Sequence, residues 1–176
     1  MNSRVRWSPA LLLAGVQAML LLSTGLLFWL ERQTSPRAWV ATQPVDPNLP
    51  IRGRYITLKM VVPFLSDQSD GSSRSDLVGT WQDVNLSVAD HRLLAKQAVQ
   101  TRSNNFAGEL RLDQETLVII PGPELAFFIP SDVDDPSIRP DGSTLWVEVT
   151  LPGSGAPRPI QLGLEQNGQI EPLALR

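Results

Sequence analysis

Apolar residues are distributed in two distinct ways along this chain. From Ala10 to Leu30 they run almost without interruption, with Gln17 the most polar member. At about 1.5 Å of rise per residue such a helix covers about 31 Å, close to the thickness of a bilayer core. A helix apolar around its whole circumference is costly in water, so this block predicts a transmembrane span. Trp7 lies just outside one end and Trp29 just inside the other, where amphipathic rings favour the membrane interface, and Pro9 suits a first helical turn. A cleaved signal peptide is the competing reading, with Arg4 and Arg6 as its basic region and Ser23-Thr24-Gly25 as a small-residue cleavage site. Against it, the apolar run continues through Leu26, Leu27, Phe28 and Leu30, longer than such a peptide needs.

Beyond Leu30 the pattern shortens. Residues 31–50 place Pro36, Pro44, Pro47 and Pro50 among polar side chains, which predicts an extended tether with one short strand at Ala38–Thr42. Tyr55–Val62 alternates: Ile56, Leu58, Met60 and Val62 share one side, and Tyr55, Thr57 and Lys59 the other, so one face is buried. Ser66–Asp76 is too polar to bury anything and reads as a surface loop, followed by a strand at Val78–Val88. Asp90–Gln100 has helix-favouring residues at Leu93, Leu94, Ala95, Lys96 and Ala98, but its neighbours favour the second arm of a hairpin. Gly108–Leu112, Thr116–Ile120 and Leu125–Ile129 are short strands bounded by Pro121-Gly122-Pro123 and Pro130. Leu145, Val147, Val149 and Leu151 alternate, and Asn167-Gly168 between Ile160–Glu165 and Gln169–Leu175 has the composition of a type I′ hairpin turn. Many short strands without a long amphipathic helix predict a mainly β domain, an antiparallel sandwich or partly open barrel, after one N-terminal transmembrane helix. The expected organisation is a cytoplasmic tail at 1–9, the span at 10–30, the tether at 31–50 and an extracytoplasmic β-rich domain at 51–176.

Charge narrows the partners. The net charge is −3, and residues 1–31 carry Arg4, Arg6 and Glu31 for +1, which leaves −4 on the remainder. A mildly acidic domain does not suit nucleic acid. Arg4 and Arg6 on one side of the span face Arg32 and Arg37 on the other, so charge alone nearly ties. A short tail before a large C-terminal domain suits an N-in signal anchor, and the absence of cysteine is compatible with either compartment.

The stretch from Pro44-Val45-Asp46-Pro47 through Arg52-Gly53-Arg54-Tyr55-Ile56-Thr57-Leu58-Lys59-Met60 resembles the bacterial membrane-anchored family named for its GDYxxLxY motif. Gly53, Tyr55 and Leu58 fit the motif, and Asp46 and Arg52 fit its lead-in. Arg54 stands where the motif has Asp, and Met60 where it has Tyr. Leu125-Ala126-Phe127-Phe128-Ile129-Pro130 is similar to the family's apolar-aromatic segment, with Phe128 and Pro130 in the matching places and Ser131 where Glu is expected. The resemblance implies a bacterial envelope protein, single-pass in the inner (cytoplasmic) membrane with its C-terminal domain extracytoplasmic. It also implies a polytopic membrane protein as partner, beside the lipid bilayer itself. It carries no established activity.

Candidate chemistry is sparse. Arg52 and Arg54 beside Tyr55 could hold an anionic ligand or lipid headgroup. The plainer reading is a bend at Gly53, a packed tyrosine and two solvated guanidiniums. The same segment also looks like the Arg-Gly-Asp box of type I signal peptidases. Those enzymes need an activated serine, and here no Ser-Met-x-Pro precedes the box and the lysines are Lys59 and Lys96 alone. His91 is the sole histidine, so a zinc site has at most one nitrogen ligand, and Asp90-His91-Arg92 reads as a turn or helix start. Asp132, Asp134, Asp135 and Asp141 lack EF-hand spacing and read as an acidic loop. No catalytic residue, metal or cofactor is therefore nominated. The expectation is an accessory or binding partner of another membrane protein, with an envelope enzyme or an anionic-ligand or lipid-binding module as alternatives.

Overall fold

A computed structural model of the protein describes residues 9–45, 55–65, 74–98, 105–130, 132–139, 142–166 and 168–175. Two compact units divide the chain, Met1–Ser35 and Pro36–Arg176.

The first unit contains helix α1, Pro9–Thr34, which has no buried residue. It is long and apolar enough to cross a membrane. Three of its hydroxyl groups bond to the helix's own backbone: Ser23 and Thr24 donate to the Leu20 carbonyl at 2.9 and 2.8 Å, and Thr34 donates to the Leu30 carbonyl at 2.9 Å. Such bonds satisfy hydroxyl groups without a partner outside the helix. The helix extends past Leu30 because no proline intervenes before Pro36.

The described residues of the second unit form a ten-stranded sheet. Its strands are β1 (Arg37–Pro44), β2 (Tyr55–Leu65), β3 (Trp81–Ala89), β4 (Arg92–Gln97), β5 (Asn105–Asp113), β6 (Thr116–Pro121), β7 (Glu124–Phe128), β8 (Leu145–Thr150), β9 (Arg158–Gln166) and β10 (Gln169–Pro172). A single helical turn, α2 (Arg74–Leu77), precedes β3. Strands β1, β4, β3, β5, β6 and β2 follow one another around a closed six-stranded barrel, and β1 pairs with β2 at Ala41↔Val61 to Pro44↔Leu58 to close it. The remaining strands extend from it: β7 pairs with β2, while β8, β9 and β10 continue outward from β1.

β2 enables the closure because it changes partners along its length. One side runs beside β1 and then meets β4 at Phe64↔Ala95; the other runs beside β7 and then meets β6 at Val62↔Ile119. The alternation read from the sequence sets its inward face, with Ile56, Leu58, Met60 and Val62 all buried. They join Val40, Val84, Leu93, Leu110, Ile119, Val147 and Leu162 in one core.

The strand expected at Ala38–Thr42 forms, while the residues around it are less of a tether than expected over 31–50, of which 46–50 lie outside the described residues. Residues 31–34 continue α1, and Arg37–Pro44 is a barrel strand with Ala38, Val40 and Thr42 buried. Pro36 precedes the strand and Pro44 ends it, positions where a missing N–H costs no ladder bond in the strand interior. The buried Thr42 hydroxyl donates to the Leu145 carbonyl at 2.8 Å, so this polar position tolerates burial.

Of the Asp90–Gln100 segment, Arg92–Gln97 forms the hairpin arm β4, joined to β3 through Asp90 and His91 at φ 49° and 58°, and residues 99 and 100 lie outside the described residues. A two-residue loop with both φ values positive is the type I′ form, and Asp and His are among the residues that tolerate it. β3 begins at Trp81 rather than Val78, because α2 and Gly79 at φ 81° occupy the approach. The β9–β10 hairpin forms as expected, pairing Gln166 with Gln169 and placing Gly168 at φ 79°; Asn167 lies outside the described residues.

Candidate functional site

The two segments singled out by their resemblance lie side by side. Asp46, Arg52, Gly53 and Arg54 fall outside the described residues, but β2 and β7 align Tyr55 with Phe128, Thr57 with Ala126 and Leu58 with Leu125. Leu58 and Leu125 point inward and are buried; Tyr55 and Phe128 point outward and are 53% and 59% exposed. Their rings meet edge to face, with centroids 5.4 Å apart at 68°. Such a contact adds about 0.5–1.5 kcal/mol beyond area burial. Lys59 and Glu124 sit 3.9 Å apart at the other end of this outward face, and Pro130 follows β7 half-buried. β7 ends the sheet, so this pair stands on an edge strand.

A second site opens where three barrel strands diverge. The β1–β2 ladder ends at Ala41↔Val61, β1 touches β4 at Trp39↔Arg92, and β2 rejoins β4 only at Phe64↔Ala95. A groove of about 320 Å³ lies at this junction, roughly the lower limit for small-ligand pockets. Buried Val61, Val118 and Trp146 line it together with half-buried Trp39 and Pro63, and polar Gln43, Asp113, Gln114, Thr116 and Thr144 are exposed around it. Gln114 takes φ 54° in the two-residue β5–β6 loop, a left-handed backbone that turns the hairpin tip carrying Asp113.

The two indoles are fixed by neighbouring groups. Gly163 lies opposite Trp146 in the β8–β9 ladder, and a Cβ there would come within 2.6 Å of the Trp39 ring. Arg92 places its guanidinium carbon 5.0 Å from the Trp146 ring centroid and a nitrogen 3.7 Å from the Glu165 carboxylate. The Trp146 Nε1–H is buried and has no hydrogen-bond partner among the described residues. A buried donor left without an acceptor costs about 1–3 kcal/mol.

No family model, curated protein or solved structure matches the chain. The reading of its sites therefore rests on their geometry. His91 occupies the β3–β4 turn, where its carbonyl accepts the Trp39 N–H at 2.8 Å. Among the described residues no group of three or more His, Cys, Asp or Glu side chains is placed to hold a metal ion.

The groove was not found by reading the sequence. Its signal was present in the Leu145–Leu151 alternation, which puts Trp146 on the side opposite Leu145, Val147 and Val149. An indole on the outward face of a strand needs a cover or a partner.

Proposed function

We propose that the chain is a membrane-anchored, non-enzymatic binding module. In this reading α1 spans the inner membrane, the barrel lies on the extracytoplasmic side, and β7 accepts an extended apolar segment of a polytopic membrane protein as an added strand. The observation that carries the reading is the exposed Tyr55–Phe128 pair on the edge strand β7. Edge strands recruit partner strands through their free ladder side, and flanking pockets or rings supply specificity. The other end of the sheet is blunted, because β10 carries Glu171 and stops at Pro172. β7 has no proline, and its one charged residue, Glu124, is matched by Lys59. Only Ser35 and Pro36 separate α1 from β1, so an anchored helix confines the barrel and a partner in the same bilayer meets it at raised effective concentration.

Affinity purification of the full-length protein in mild detergent tests this reading. A membrane protein recovered with the wild type should be lost from a Tyr55→Ser, Phe128→Ser double variant that still folds and whose melting temperature falls only modestly. Recovery of the same protein from both would contradict it.

A further inference from the structure

We propose that the groove at the junction of β1, β2 and β4 binds a small organic cation, an alkylammonium group carried on a compact apolar body. At about 320 Å³ the groove matches the smallest class of ligand pockets, which suits a single ring better than an extended chain. This inference is independent of the β7 edge.

Charge selects the class. Arg92 and Asp113 are the charged side chains among the described residues that line the groove, and they are not equivalent. The Arg92 guanidinium is engaged within the protein, its carbon 5.0 Å from the Trp146 ring centroid and a nitrogen 3.7 Å from the Glu165 carboxylate. The Asp113 carboxylate has no hydrogen-bond or ion-pair partner among the described residues. With Arg92 offset by Glu165, the Asp113 charge is left uncompensated, and Glu115, exposed in the same hairpin loop, adds negative charge beside it. A potential of this sign concentrates cations and repels anions.

The walls and the rim separate an organic cation from a bare ion. Buried Val61 and Val118 with half-buried Trp39 and Pro63 make an apolar lining, from which the hydrocarbon part of a ligand displaces water. Around it the exposed Gln43 and Gln114 amide oxygens and the Thr116 hydroxyl can accept hydrogen bonds, and a primary ammonium brings donors and no acceptor. A hydrated inorganic cation gains nothing from the apolar lining, and Asp113 belongs to no group of three or more metal-ligating side chains among the described residues. A neutral hydrocarbon leaves the carboxylate unused, so the amine is the molecule that meets both parts of the groove.

The test uses the full-length protein in a polyoxyethylene-ether detergent, chosen because it carries no charge. Cyclohexylamine, cyclohexanol and cyclohexanecarboxylate, the same ring as cation, neutral molecule and anion, are titrated separately at neutral pH. The side-chain amide resonances of Gln43 and Gln114, assigned by their loss in Gln43→Ser and Gln114→Ser, are followed. Saturable binding of cyclohexylamine that moves both resonances is expected, at least about tenfold tighter than that of the alcohol or the carboxylate. Asp113→Asn should weaken it at least about tenfold, the weight of one ion pair at a partly shielded site. Asp113 is exposed at a hairpin tip, so this variant reports on binding with the fold intact. Glu115→Gln, outside the lining, should weaken it by about twofold or less because solvent screens its charge, and Phe128→Ser should leave the affinity unchanged. Nα-acetyl-lysine methylamide, titrated in the same way, identifies the source of the ammonium group: a lysine side chain of another protein if it binds more tightly than cyclohexylamine, a free amine if it binds less tightly. The proposal is overturned if cyclohexylamine does not bind up to about 10 mM, if it binds without moving the two resonances, if the alcohol or the carboxylate binds as well, or if Asp113→Asn leaves its affinity unchanged.

Discussion

Two aromatic sites stand out among the described residues, and they are built in opposite ways. Tyr55 and Phe128 meet edge to face, lie more than half exposed, and stand on β2 and on β7, the last strand of the sheet. Trp39 and Trp146 lie where strands diverge, with Trp146 only 9% exposed beneath Arg92 and the polar rim of a groove around them. The difference is one of reach. Exposed rings at the end of the sheet offer a broad surface, whereas Trp146 is sunken, with its N–H enclosed by protein. One β scaffold thus presents a surface of each kind, and substitutions can separate them.

The largest effect should come from a residue on which both surfaces depend. Leu58 is fully buried in β2, the strand that carries Tyr55 and lines the groove through Val61 and Pro63. Leu58→Ala should cost about 2–5 kcal/mol, lower the folded protein recovered from membranes, and remove both activities together. Normal abundance and melting temperature for this variant would mean that β2 is not the shared support.

Gly163→Ala should sharpen the comparison by disturbing one side alone. Its methyl group would meet the Trp39 ring at 2.6 Å and the Glu171 carbonyl at 3.0 Å. Overpacking of this kind costs about 1–3 kcal/mol, so a lowered melting temperature and weakened groove binding are expected with the β7 edge intact. The complementary variants, Tyr55→Ser and Phe128→Ser, should shift stability by about 0.5–1.5 kcal/mol apiece, the worth of the ring contact, while removing partner recovery.

The smallest effect concerns acid. Arg111 donates to Glu109 at 2.8 Å on the exposed face of β5, and this bond holds the Glu109 carboxyl below its usual range. A depressed folded-state pKa contributes stability that is present above the unfolded-state value and lost as pH falls through the folded one. Because the pair is exposed, its contribution is small. Arg111→Gln should slightly reduce the melting temperature at neutral pH, with the difference from wild type vanishing in acid; groove binding and β7 docking should not change.

How far the sequence could be read depended on how local each cause was. Alternation at Ile56, Leu58, Met60 and Val62 and the Asn167-Gly168 turn residues act within a few positions, so strand β2 and the last hairpin could be read directly, whereas Asp90-His91-Arg92 read as a turn or a helix start. α1 was equally legible, because its length and apolarity need no partner. The strand expected at Ala38–Thr42 is there, but that it is a barrel strand was not legible, because Ala38, Val40 and Thr42 form an inward face only where β8 and β2 flank them. Barrel closure likewise depends on β2 exchanging partners midway, which no local pattern records. The groove draws its lining from β1, β2, β4, β6 and the ends of β5 and β8, so no single segment announces it. The resemblance pointed to Tyr55 and Phe128 separately, and only the register makes them a pair.

The most direct test of the docking edge is a photo-crosslinking residue placed at position 128 and, separately, at position 170 on β10, with both proteins irradiated in intact membranes. The account predicts a discrete adduct with a membrane protein from position 128 and none from position 170. No adduct from position 128, or the same adduct from both edges, would contradict it.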